Sequence, residues 1–160
     1  MAIRQIREEG DSLLRKKSRE ITEIDDRVLE LLDDMYETLK SSEDGVGLAA
    51  PQVGVLKRAI VVDLSEEGGE GPYKLINPKI VKKKGEQICR EGCLSVPGVL
   101  GDVIRPAEVI VEAINEKGEK VRIKAKDILA VVFCHEIDHL DGVLFIDKAT
   151  EFFEIENEEN

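Results

Sequence analysis

What the 160-residue sequence lacks narrows its class before any motif is read. No apolar run approaches the roughly 18 residues that a membrane span needs, so no bilayer-crossing helix and no membrane partner are expected. The start, Met1-Ala2-Ile3-Arg4, is not a charged head followed by an apolar stretch. It reads as no secretory signal, and a cytoplasmic protein is expected. Only three cysteines occur, and without an export signal they are read as thiols instead of a disulfide framework. Positive charge is scarce: 23 lysines and arginines face 34 aspartates and glutamates, for a net charge of −11. That balance argues against direct nucleic-acid binding, which needs a basic surface to neutralise phosphates. Lys82-Lys83-Lys84 is a local exception, read as a solvated strand end. There is no internal repeat, linker or low-complexity block, and the length suits one core but not two ordinary domains. Residues 1–150 are read as a single domain and 151–160 as a short, acidic, solvated tail.

Periodicity supplies the elements. Val28, Leu31, Leu32, Met35 and Leu39 recur at helical spacing with charges between them, which predicts an amphipathic helix over 25–40. The small-residue stretch 45–54, with Pro51-Gln52 near its centre, predicts a loop or short extended segment. Ala59-Ile60-Val61-Val62 reads as a buried strand. Strands follow over 73–76 and 79–82, separated by Pro78, and over 86–95, with Pro97-Gly98 as the turn. Residues 109–114 and 121–125 flank Asn115-Glu116-Lys117-Gly118 as a hairpin. A second helix is predicted over 128–141, with Asp127 as its N-cap and Gly142 as its stop. Its interior is apolar all round, so it should be buried. The expected class is α+β, with mixed and antiparallel strands wrapped around that central buried helix.

Both histidines of the chain fall on this helix, in His135-Glu136-Ile137-Asp138-His139. Residues four apart share a helix face, so both imidazoles can reach one metal while Glu136 is offset toward a water. Core histidines without a metal would instead leave two imidazoles and a carboxylate buried at a cost. A catalytic site needs a third protein ligand and an open position. Phe145 stands six residues beyond His139, where one group of HExxH peptidases carries a third histidine, and that arrangement is excluded. Glu151 and Glu154 lie in a tail too short for a supporting helix. Cys93, in Glu91-Gly92-Cys93-Leu94-Ser95, is the better candidate because a thiolate is a strong ligand.

Three motifs, Gly45-Val46-Gly47-Leu48-Ala49-Ala50-Pro51-Gln52, Glu91-Gly92-Cys93-Leu94-Ser95 and His135-Glu136-Ile137-Asp138-His139, stand in the order and spacing of the peptide deformylases, and the chain resembles that family from Gly10-Asp11 to Asp147. The resemblance implies removal of the formyl group from the initiator methionine of newly made proteins, with release of formate. It implies Cys93, His135 and His139 as ligands of one ferrous ion per chain, for which zinc, nickel or cobalt may stand in, and Glu136 as general base and then acid. The Gln52 side-chain amide and the Leu94 backbone N–H map to the oxyanion donors. Substrate contacts map to Gly45, Val46, Gly47, Cys89, Glu91, Gly92, Ile128, Val131 and Val132, of which the last three form a stripe continuous with the ligands. N-formylmethionyl nascent peptides are the implied partners, with transient proximity to the ribosome. Asp138, off the ligand face, is expected to pair with Arg105. Two departures stand out: Cys134 precedes His135 where the family commonly has Gln, and Asp127 replaces a common Gly. Cys134 is read as a small buried hydrophobe. The rivals are an HExxH metallopeptidase of unblocked peptides and a noncatalytic metal-stabilised binding domain.

Overall fold

The computed structural model describes residues 2–43 and 45–155. Two helices and eight strands build the domain: α1 (Asp26–Lys40), β1 (Gly47–Ala49), β2 (Ala59–Val62), β3 (Tyr73–Lys84), β4 (Gln87–Cys93), β5 (Val96–Arg105), β6 (Glu108–Asn115), β7 (Lys120–Lys126), α2 (Ile128–Leu140) and β8 (Glu151–Glu154). The strands form a five-stranded sheet, β1-β2-β3-β6-β7, and a three-stranded sheet, β4-β5-β8. Each strand pairing is antiparallel, so the α+β class holds without the mixed pairing that the sequence allowed.

The four residues of β2 explain the layering. Ala59 and Val61 pack with Val28, Leu32, Met35 and Leu39 of α1, while Ile60 and Val62 pack with Leu129, Val132 and Phe133 of α2. Alternate side chains of a strand point to opposite faces, and an all-apolar strand is therefore covered on both. Asp25 caps α1 by accepting the Val28 N–H at 3.0 Å. Helix α2 is buried along nearly its whole length, as its apolar circumference predicts.

Four expectations change. Pro78 does not divide a strand: β3 runs through it because Asn77 takes φ 52°, a left-handed value that Asn tolerates, and its amide brackets the Ile21 N–H and C=O at 2.8 Å each. The β4–β5 turn falls at Leu94-Ser95, and Pro97-Gly98 lies within β5. Asp127 is no side-chain cap: it sits at φ 56°, ψ −129°, and bonds through its backbone, donating its N–H to Ala107 O and accepting on its C=O from Gln87 Nε2 and the Val131 N–H. The tail, exposed as expected over most of its described side chains, begins as a strand: β8 pairs with β5 over residues 151–154, while residues 156–160 lie outside the described residues.

The far end of α2 is held by the chain's beginning. The Leu140 carbonyl accepts from the Ser18 N–H at 2.8 Å and from Arg58 Nη1 at 3.0 Å. Gly142 follows at φ 75°, where a Cβ would lie 2.5 Å from the Arg15 carbonyl oxygen, so this stop needs glycine for both conformation and space.

Candidate metal centre

Two elements bring the donors together. Because α2 is buried, its polar residues are buried with it: His135, Glu136 and His139 are 8%, 3% and 1% exposed. Cys93 ends β4, where the register with β5 slips between Glu91 and Cys93. Its Sγ lies 3.3 Å from His139 Nε2, and one donor atom from each of Cys93, His135 and His139 falls within 4.8 Å of the others.

A buried chain of charges orients the first imidazole. His135 Nδ1 donates to Glu91 Oε1 at 2.7 Å, which turns Nε2 toward the donor cluster. Glu91 accepts two bonds from Arg105, at 2.7 and 2.9 Å, and Arg105 Nη1 reaches Asp138 Oδ2 at 2.7 Å. The expected Asp138–Arg105 pair is therefore present. Burial alone would raise the Glu91 carboxyl, but Arg105 and then His135 hold it below the ordinary range. The carboxylate expected to meet substrate is thus held by Arg105 and His135 at the edge of the cavity.

Burial, with the positive Arg105 adding to it, holds His139 well below its usual range and keeps it neutral, the form that binds a metal. Burial also pushes Glu136 up to about 7, opposed by His135 and reinforced by Glu91. Cys134, likewise buried, is pushed up to about 11, which suits an inert thiol. Gln52, 1% exposed, accepts the Ala49 N–H on Oε1 at 2.9 Å. Its Nε2 is thus aimed at Ser95 Oγ, 3.1 Å away, and at Cys93 Sγ, 3.5 Å away.

Among the described residues, Glu136 Oε1 and His139 Nδ1 are buried atoms without a hydrogen-bond partner. An uncompensated carboxylate oxygen beside one sulfur and two imidazole nitrogens fits a divalent cation and a water. The cluster opens on a cavity of about 520 Å³ bordered by Gly45, Val46, Gly47, Cys89, Glu91, Gly92, Cys93, Leu94, Ile128, Val131, Val132, His135 and Glu136. Gln52 and His139 stand behind that lining. Sequence reasoning missed the β5 wall, with Val99 and Leu100, and Ile155 beyond β8. It also missed the part Glu91 plays in orienting His135, for which the only signal was its place two residues before Cys93.

A family model described as Polypeptide deformylase matches residues 3–153. A peptide deformylase of Acetivibrio thermocellus is 58% identical over 154 residues, covering 96% of this chain and 88% of that protein. One of Thermoanaerobacter pseudethanolicus is 52% identical over 159 residues, covering 99% and 97%. The crystal structure of peptide deformylase from Thermotoga maritima superposes with a TM-score of 0.88 at 38% identity, covering 94% of this chain and all of that one. A Synechococcus elongatus peptide deformylase in complex with actinonin gives 0.85 at 44% identity, covering 91% and 78%.

Proposed function

The chain belongs to the polypeptide deformylase family, and from that membership we propose how its own residues divide the work. The protein is a metal-dependent hydrolase that removes the N-formyl group from nascent formyl-methionyl peptides. Cys93, His135 and His139 would hold a divalent cation, which when bound would supply the Lewis acidity that makes water nucleophilic near neutral pH. Glu136 takes the proton from the attacking water and gives it to the departing amine as the C–N bond breaks and formate leaves. Gln52 Nε2 and the Leu94 N–H donate to the oxygen of the attacked formyl group as negative charge develops there. The orientation of the Gln52 amide, fixed by the Ala49 N–H, supports that role. Glu91 and Arg105 hold His135 in its ligating tautomer. Val46, Cys89, Ile128, Val131 and Val132 receive the methionine side chain, and Gly45, Gly47 and Gly92 leave room for the peptide backbone.

We assign ferrous iron as the native ion, one per chain, because the family resemblance implies it, although the donor set of one thiolate and two imidazoles suits zinc as well and accepts nickel or cobalt. Protein purified without oxygen should carry about one iron per chain and turn over faster than its zinc form. A faster zinc form rejects the assignment. The nascent character of the substrate supports work in the cytoplasm in transient proximity to the ribosome. None of the relatives named above supports the peptidase alternative.

The observation that carries the mechanism is the convergence of Cys93, His135 and His139 beside a buried, unpartnered Glu136 oxygen. Formate release from formyl-Met-Ala-Ser, with an unformylated peptide as control, should be abolished by a chelator and restored by metal. Glu136→Ala should lower kcat roughly 10²–10⁴-fold while metal content stays the same. Full activity in that variant removes Glu136 from the mechanism.

A further inference from the structure

The end of the chain contributes a wall to the cavity that none of the three motifs includes. Glu91 of β4 pairs with Gly101 of β5, yet Cys93 pairs with Val96. Residues 97–100 are thereby released from β4, and β8 takes up part of that stretch: Glu154 pairs with Val99 and Phe153 with Leu100. The ladder continues past β8, where the Ile155 N–H donates to Gly98 O at 2.9 Å. At its other end the strand is fastened by the Thr150 N–H on Asp102 O at 2.8 Å. The Arg90 guanidinium, bound to Asp102 at 3.0 Å, lies 3.6 Å from the centre of the Phe153 ring. Ordering a chain end gives up conformational freedom that these bonds must offset. What the ordering delivers to the cavity is Ile155, which stays 55% exposed on the lining beside Pro97, Val99 and Leu100.

We propose that Ile155 is a specificity-determining residue, forming an apolar outer wall against which the side chains following the formyl-methionine pack. The inference rests on the deformylase reading of the same cavity. In that reading the methionine side chain takes the stripe on α2 and the reacting carbonyl sits at the end marked by His135 and Glu136. The β5 side of the cavity is apolar and still has no occupant, and about 520 Å³ is the volume of a site that takes more than one side chain. An isoleucine half in water at such a rim gains by being covered.

The test uses the metal-loaded enzyme and its Ile155→Ser and Ile155→Leu variants, with formate release measured from formyl-Met amide, formyl-Met-Ala-Ser and formyl-Met-Leu-Leu. Ile155→Ser should raise KM for formyl-Met-Leu-Leu roughly three- to tenfold with kcat unchanged, and leave formyl-Met amide unaffected. Ile155→Leu should keep the parental KM, and the melting temperature of both variants should stay at the parental value. Equal KM changes for all three substrates, or none, overturn the proposal while the deformylase reading stands. If the parent enzyme releases formate from none of them, the deformylase reading falls and the proposal with it.

Discussion

At the scale of single residues, Gly47 has two reasons to lack a side chain. The sequence suggested close approach of a peptide backbone, and the structure adds that a Cβ there would lie 2.6 Å from Glu136 Oε2. Gly47→Ala should displace that carboxylate and lower kcat roughly 10–10²-fold with little change in melting temperature. An unchanged kcat would show that Glu136 has room to shift without losing its task. That His135 and His139 share one helix face was legible in the sequence because i, i+4 spacing is a property of one helix, readable without tertiary knowledge. The purpose of Glu91 was not, because it depends on a strand meeting a helix 44 positions further along the chain. The Arg105–Asp138 pair was anticipated as an isolated ion pair, whereas the structure makes it the outer end of the chain that orients His135.

At the scale of elements, the helices and the buried strand β2 follow from periodicity and composition, while the errors cluster where tertiary partners override local signals. Proline and glycine were read as punctuation at positions 78 and 97–98, yet β3 absorbs Pro78 with a bulge and β5 carries Pro97-Gly98 because β8 offers it a second neighbour. The acidic composition of the tail concealed Phe152 and Phe153, which strand pairing uses. The segment leading into α2 shows another override. Asp127 occupies φ 56°, ψ −129°, a region that favours glycine, and its side chain makes no capping bond in return. Asp127→Gly should therefore stabilise the protein by about 1 kcal/mol, raising the melting temperature by roughly 2–4 °C. A lower midpoint in reversible denaturation would show that the aspartate side chain contributes more than it strains.

At the scale of the whole molecule, the excess of acidic groups makes stability depend on where they are paired. Lys40, in the last turn of α1, lies 2.8 Å from Asp63, just beyond β2, and Tyr36 donates its hydroxyl to the same carboxylate at 3.0 Å. Burial pushes Asp63 up, but Lys40, Ser65 and Tyr36 outweigh it and hold the carboxyl well below its ordinary range. Asp63 also raises Lys40 above its own ordinary value. A carboxylate depressed in the folded state stabilises above its unfolded value and loses that contribution as pH falls; a raised lysine stabilises below its unfolded value and loses its contribution as pH rises. Unfolding free energy should accordingly decline below about pH 5 and flatten there in Asp63→Asn. An acid limb of equal slope in the variant would assign the loss to other carboxylates. The bonds from Ser18 and Arg58 to the Leu140 carbonyl, together with the close fit of Gly142 against Arg15, tie the end of α2 to segments far away in sequence. Contacts between segments so far apart in sequence are of the kind that slows folding. A chain that has lost Ser18, or that stops short of Leu140, forfeits the clasp on the far end of the helix that carries both imidazoles.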